Sequence, residues 1–324
     1  MRRRRWAWVV LVFCLACSDD TAGGTGGTGG AAGAGGAAGA GGMGGSGGET
    51  PRACATDIDV GETQPFGDVT PTPTEGVTFD TDGTLYVSAR NTTGDDQLLA
   101  FSPDGSFTSV AESPSILGLE SNDGTVIAAG IATGELLEID PSNGDVTTIA
   151  DDLGAPNFVV TTPWGTWLVS DDTFGEDEID EVTFDGVAST WVGGIPTPNG
   201  MVFSLDASVL YVATTFEQPG LWRIPVSDEG IPGTPELWVP FEPGTTPDGV
   251  AIDSEGNVYV ALNLAGQIAR VDPAGEVTML AEAGAPASLA FGQGDYDPCS
   301  LYVTNLFGDQ VWRVGTGVLG VPKP

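Results

Sequence analysis

Thr246-Pro-Asp248-Gly-Val-Ala-Ile-Asp-Ser-Glu-Gly256-Asn-Val-Tyr-Val260 reads as two short strands around a tight turn. Val250 and Ile252 alternate along the first strand, Glu255-Gly256 supply the turn, and Val258-Tyr-Val260 form the second. The same beat recurs along the chain. Aligning Glu75, Ser115, Asn157, Asn199, Asp248 and Ala287 gives six openings: Glu75-Gly-Val77-Thr-Phe79, Ser115-Ile-Leu117-Gly-Leu119, Asn157-Phe-Val159-Val-Thr161, Asn199-Gly-Met201-Val-Phe203, Asp248-Gly-Val250-Ala-Ile252 and Ala287-Ser-Leu289-Ala-Phe291. A proline stands directly before five of them (Pro114, Pro156, Pro198, Pro247, Pro286), and Pro73 lies one residue further back in the first. The spacings are 40, 42, 42, 49 and 39 residues. A period near 40 with strands inside each unit is the mark of a β-propeller.

Each opening is followed by a turn and a second apolar run, as in Asp82-Gly83 before Leu85-Tyr-Val87 and Cys299-Ser300 before Leu301-Tyr-Val303. A third run recurs at Gln97–Phe101, Glu135–Ile139, Gly220–Ile224, Gln267–Val271 and Gln310–Val314, and an outer run such as Val277–Leu280 follows in most copies. No long helical period interrupts them. The fold class is therefore all-β: a six-bladed propeller with four-stranded blades over residues 54–324. Two segments qualify as the last outer strand, Asp57–Phe66 and Gly317–Val321.

What precedes the propeller is different in kind. Residues 1–17 read as an export signal, with Arg2 to Arg5 as the basic end and Trp6 to Ala16 as an apolar stretch too short to span a bilayer comfortably. Leu15-Ala16-Cys17 resembles a bacterial lipoprotein processing site, with Cys14 standing where that pattern has a leucine; this resemblance implies lipidation of Cys17. Residues 18–53 read as a disordered Gly/Ala-rich linker. Glycine fills 16 of the 28 places in 21–48, so the tract has too little apolar surface to offset its ordering entropy. As a flexible coil it holds its ends roughly 30 Å apart. The expected location is the cell envelope, anchored at the outer membrane or cell surface through Cys17, or otherwise secretion.

The charge excludes several partners. Removing the four signal arginines leaves six bases against 45 acids, a net charge of −39. Nucleic acid is excluded, and the body meets a membrane only through the anchor. Cys54 and Cys299 remain after the signal, and export permits a disulfide between them that ties the entry of the body to its last repeat. The sequence holds no histidine, which removes Ser-His-Asp triads, Cys-His pairs and His-ligated zinc.

In a propeller, equivalent residues at the start of each innermost strand surround one axis. Glu75, Asn157, Asn199 and Asp248 would converge there as a metal site: two carboxylates and two carboxamides, hard oxygen donors that suit Ca²⁺ or Mg²⁺. Asn-Gly and Asp-Gly are also common turn dipeptides, yet these sit before first strands and not between paired ones. The acidic runs Asp171-Asp172 and Glu176-Asp177-Glu178 read as solvated loops.

These motifs resemble the senescence-marker-protein/gluconolactonase/regucalcin family (SMP-30/gluconolactonase/LRE), most closely at Thr197-Pro-Asn199-Gly-Met-Val-Phe-Ser-Leu-Asp206 and Thr246 to Val260. The resemblance implies one divalent cation in the channel, Ca²⁺ or another such as Zn²⁺ or Mg²⁺, held at Glu75, Asn199 and Asp248. It makes Asp248 the general base, and Asn157 a substrate contact that also reaches the metal. It implies hydrolysis of a small-molecule lactone or related ester. A monomer is expected. The family's sugar lactonases carry an arginine two before the asparagine and Asp-Gly after it, where this chain has Ala155 and Phe158-Val159. That departure favours a more apolar lactone or ester. The alternative is a non-catalytic, calcium-stabilised propeller that binds or displays a ligand; a strictosidine-synthase-like activity ranks below both.

Overall fold

The computed structural model describes residues 54–55, 57–172 and 177–322. The export signal, Cys17 and the Gly-rich tract lie outside the described residues. Among the described residues, twenty-four strands, from Thr63–Phe66 to Val311–Gly315, form six four-stranded antiparallel sheets. This is a six-bladed β-propeller. Its innermost strands are Thr74–Phe79, Leu119–Asn122, Pro156–Thr161, Pro198–Phe203, Pro247–Ile252 and Pro286–Phe291, in blades 1 to 6.

The apolar alternation of each strand is satisfied between neighbouring blades. Tyr86 and Leu98 of blade 1 pack with Leu119, Val126 and Leu137 of blade 2. Phe158, Leu168 and Ile179 of blade 3 pack with Met201, Leu210 and Trp222 of blade 4. Blade 1 meets blade 6 through Val77, Phe79 and Leu85 against Tyr296, Tyr302 and Val311. Each fully buried large side chain contributes about 1.5–3 kcal/mol, so the seams between blades are where stability resides.

The ring closes at blade 6. Its strand order is Thr63–Phe66, Val311–Gly315, Ser300–Asn305, Pro286–Phe291, so the first strand of the body is the outer strand of the last blade. Thr63 pairs with Val314 and Phe66 with Val311. Of the two segments competing for this place, Asp57–Phe66 supplies the strand; Gly320 forms an isolated bridge to Asp253 instead. Cys54 and Cys299 are joined by a disulfide across the same closure, with their Cα atoms 5.2 Å apart. Arg313 reinforces it, donating from Nη1 to Asp57 Oδ2 at 2.9 Å and from Nη2 to Asp297 Oδ2 at 2.8 Å.

Two sequence readings are corrected. Glu178 does not belong to a loop: Glu178–Thr183 is the third strand of blade 3, with Ile179 and Val182 fully buried between charged neighbours. The second repeat is also displaced. Leu119 pairs with Ala128, and Leu117 N–H donates to Ala129 O, the arrangement Val77 and its neighbours make in blade 1. Leu117, not Ser115, is therefore the equivalent of Glu75.

Candidate metal centre

A bulge turns the ring residues inward. In blade 1, Thr74 pairs with Ala89 and Val77 with Val87, so Glu75 and Gly76 together oppose Ser88 alone. The same shift lies at Pro156/Val159, Pro198/Met201, Pro247/Val250 and Pro286/Leu289. Such an extra residue bends the strand and re-aims a side chain. In three blades a hydroxyl opposite the bulge accepts its freed N–H: Gly76 N to Ser88 Oγ (2.7 Å), Phe158 N to Ser170 Oγ (3.1 Å) and Ser288 N to Thr304 Oγ1 (3.0 Å). Ser88 then donates to Leu117 O of blade 2 at 2.8 Å, and Thr304 donates to Glu75 O of blade 1. The bulges are stitched blade to blade.

Two of the ring residues follow a strained threonine. Thr197 and Thr246 have φ of 46° and 49°, in the left-handed region that β-branched residues avoid. Their hydroxyls accept Phe216 N (3.1 Å) and Leu264 N (2.9 Å), which fastens the loops leaving the second strands to the start of the inner strands.

The ring is therefore Glu75, Leu117, Asn157, Asn199, Asp248 and Ala287, and its four polar members are each 8 % exposed or less. Asp172, read from the sequence as part of a solvated acidic run, belongs beside them. Its Oδ2 accepts Asn157 Nδ2 at 3.4 Å and Asn199 Nδ2 at 3.3 Å. Asn199 Nδ2 also donates to Thr215 Oγ1 at 3.0 Å. Asp171 is structural, its Oδ2 accepting Ala155 N at 2.9 Å. Arg90 is the second residue the sequence did not single out: its Nη1 lies 3.0 Å from Glu75 Oε2. Asp172 and Arg90 both stand where a second strand of a blade ends, fifteen residues after a ring residue. That offset is the signal from which both could have been found.

The electrostatics are those of a site short of positive charge. Burial lifts the Asp248 carboxyl well above the ordinary carboxylate range, and repulsion from Glu75 and Asp172 adds to the rise. Burial and the Glu75 charge do the same to Asp172. Burial raises Glu75, with Arg90 opposing it. Among the described residues no cluster of three or more His, Cys, Asp or Glu side chains stands ready-formed to hold a metal ion. Yet Asp172 Oδ1 and Asn199 Oδ1 are buried oxygens without a hydrogen-bond donor, and Glu75 Oε2 has only the Arg90 ion pair. Buried acceptors left in this state are costly, and a hard cation satisfies several at once. The donors fit such an ion.

Ala155 and Phe158, the departures from the sugar-lactonase pattern, take different places. Ala155 is buried, and Phe158 packs into the seam with Met201. Phe158 takes the place of the glycines 76, 118, 200 and 249, which abut the next blade. Further along the inner strands, Val77, Phe158, Val160, Met201, Val250 and Leu289 line a channel cavity of about 720 Å³.

Comparison with known proteins agrees with this architecture. The chain is 31% identical over 153 residues to a 6-deoxy-6-sulfogluconolactonase from Pseudomonas putida, covering 44% of this chain and 51% of that protein. It is 35% identical over 140 residues to a pentonolactonase from Haloferax volcanii, covering 41% and 46%. The match thus spans about half the length of these curated relatives. Among solved structures, a gluconolactonase from Xanthomonas campestris superposes with a TM-score of 0.65 at 16% identity, over 82% of this chain and 98% of that one. A calcium-binding protein, regucalcin, from Agrobacterium tumefaciens gives 0.64 at 23% identity, over 80% and 97%. At these identities the structures attest the fold alone. Residues 74–306 match the model of the SMP-30/Gluconolactonase/LRE-like region, and the chain belongs to that family.

Proposed function

We propose that this propeller is an exported, divalent-cation-dependent hydrolase of lactones or related esters. The observation that carries the reading is the convergence of Glu75, Asp172 and Asp248 with Asn157 and Asn199 around buried oxygens that lack donors. The names of the curated relatives, both lactonases, support it. Ca²⁺ suits the donor set; Mg²⁺ and Zn²⁺ are the alternatives.

Glu75, Asn199 and Asp248 would hold the ion, with Asn157 completing the set or orienting substrate. When bound, the cation supplies polarisation of the substrate carbonyl and stabilisation of negative charge developing on its oxygen. Asp248 accepts the proton of the attacking water. Asp172 holds the two carboxamides by accepting from both, which leaves their carbonyl oxygens free to act as donors to the ion. Burial of the ring limits solvent access and strengthens each of these electrostatic contacts.

The burial of all four polar ring residues also favours a second reading, a calcium-pinned scaffold without turnover. Export, lipidation at Cys17 and the tether of residues 18–53 complete the proposal in either case and place the propeller at the cell envelope. Calorimetric Ca²⁺ titration of the protein and of Asp248→Ala, followed by a lactone and ester screen, separates the readings. One tight site lost in the variant, with calcium-dependent hydrolysis, supports the enzyme. A tight site with no hydrolysis supports the scaffold. Equal weak binding in both proteins refutes the metal centre.

A further inference from the structure

The sequence loses the arginine that sugar lactonases of the family place two before Asn157, and the structure supplies another guanidinium at the same mouth. We propose that Arg90 is an anion-binding subsite beside the ring, so that the preferred substrate is a lactone or ester bearing a separate anionic substituent such as a carboxylate, sulfonate or phosphate. The substrate half of this inference rests on the hydrolase reading; the anion-binding half does not.

Four arginines stand among the described residues, and three of them lie on the third strands of their blades, away from the ring. Arg313 uses Nε, Nη1 and Nη2 on Ser300, Asp57 and Asp297. Arg223 pairs with Glu236 and lies over the Trp238 ring. Arg270 keeps its Nε buried within blade 5. Arg223 is as exposed as Arg90, and what sets Arg90 apart from all three is its place beside the ring. Among the described residues only its Nη1 is engaged, by Glu75 Oε2, while its side chain is 43% exposed. A guanidinium carries five donors in a rigid fork, and its remaining edge matches the two oxygens of a carboxylate, sulfonate or phosphate.

The backbone beneath the side chain is fixed. Arg90 N donates to Pro73 O at 2.8 Å, beside the start of the inner strand that carries Glu75. Asn91 N donates to Asp96 Oδ1 at 2.7 Å, and Ile116 N of blade 2 donates to Asp96 Oδ2 at 3.0 Å. The stem is held while the charged tip reaches both the ring and solvent. Glu75, Asp172 and Asp248 would repel an anion from the ion-free mouth, so anion binding at Arg90 is coupled to cation binding at the ring. By linkage, each strengthens the other.

The test uses the calcium-loaded full chain and two probes of matched shape, phenylmethanesulfonate and its neutral analogue benzyl methyl sulfone, neither of them hydrolysable. Calorimetry on the wild type is expected to give about tenfold tighter binding of the sulfonate, the scale of a charge-assisted hydrogen-bond pair. Arg90→Met brings the two probes within about twofold of each other, Arg90→Lys keeps part of the preference, and chelation of calcium weakens sulfonate binding. Equal affinity in the wild type, binding of neither probe, or a preference that survives in Arg90→Met overturns the subsite. Hydrolysis of 4-sulfophenyl acetate and phenyl acetate is measured alongside. If neither ester is cleaved while the sulfonate preference holds, the hydrolase reading fails and the anion-binding subsite stands.

Discussion

Gly118 of blade 2 donates its N–H to the carbonyl oxygen of Asn157 in blade 3 at 3.0 Å, and a Cβ placed on Gly118 would stand 2.3 Å from that same oxygen. The carbonyl so held belongs to a ring residue, so the spacing between blades and the position of a site side chain are set by one contact. Gly118→Ala also brings its methyl 2.9 Å from Phe158 Cα, another backbone atom that cannot turn aside. Overpacking of this kind costs about 1–3 kcal/mol. Thermal melting should show a lowered Tm, and calcium titration a weaker site. A variant as stable as the wild type, with calcium affinity intact, would show that the seam yields and that the glycine does not set the ring.

Calcium stabilisation should depend on the ring carboxylates. At a concentration near 100 times Kd, a ligand bound only by the folded state raises stability by about 2.7 kcal/mol. Calcium should therefore raise the wild-type Tm by several degrees. Asp248→Asn and Glu75→Gln keep the side-chain shapes and should abolish that rise, with melting in chelator little changed or improved, since each removes a buried charge. A calcium-dependent rise persisting in both variants would locate the ion elsewhere.

Asp172 should matter to the cation without belonging to the repeat pattern. Asp172→Asn removes one charge from the site and puts a second amide opposite Asn157 and Asn199, which donate to it at 3.4 and 3.3 Å. Calcium affinity should fall by about tenfold or more at an effective interior dielectric near 20. An unchanged Kd would reduce Asp172 to a packing residue.

The contrast between Asp248 and Asp172 shows what the sequence discloses. Asp248 and Asn199 are legible because a strained threonine, a proline and a close-packed glycine surround each in the same order, and those residues answer to backbone geometry. Asp172 and Arg90 lie past the ends of second strands, marked only by their fifteen-residue offset from a ring residue, and the blade topology brings them to the mouth. The second repeat misaligned on Pro114 because proline before an inner strand accompanies the ring residue without determining it. Gly118, which must have no Cβ, is the better landmark. Glu178–Thr183 escaped as a strand because one face meets water and only Ile179 and Val182 enter the core.

The disulfide should govern how the ring opens. Cys54 and Cys299 are 245 residues apart in sequence, and the bond fastens the segment before Thr63–Phe66, which completes blade 6. Long closed loops gain roughly 4–5 kcal/mol in the chain-entropy account. Cys54→Ser with Cys299→Ser should lower Tm markedly and make residues 57–66 the first site of proteolysis. Cleavage beginning elsewhere would mean that the strand pairing alone closes the ring.

Two groups of carboxylates should give the ion-free protein opposite responses to acid. The ring carboxyls have folded-state pKa values raised by burial, so their protonation favours the folded form. Their contribution is complete below the ordinary carboxylate value of about 4 and is lost as pH rises through the folded values. Asp297 behaves in the other sense. Burial pushes it up, but hydrogen bonds from Ser300, Arg313, Ala55 and Cys299 outweigh that and hold it below its usual value. Its contribution is present above about pH 4 and is lost as pH falls through the folded value. In chelator, Tm should therefore rise as pH falls from 7 toward 5, then drop below about 4 as the Arg313 cluster at the blade 6 closure is discharged. With saturating calcium the ring is already compensated, so the rise between pH 7 and 5 should flatten while the acid drop remains. A Tm that falls steadily from pH 7 in chelator would mean that the ring carboxylates carry no excess repulsion, and the case for a cation there would lose its electrostatic basis.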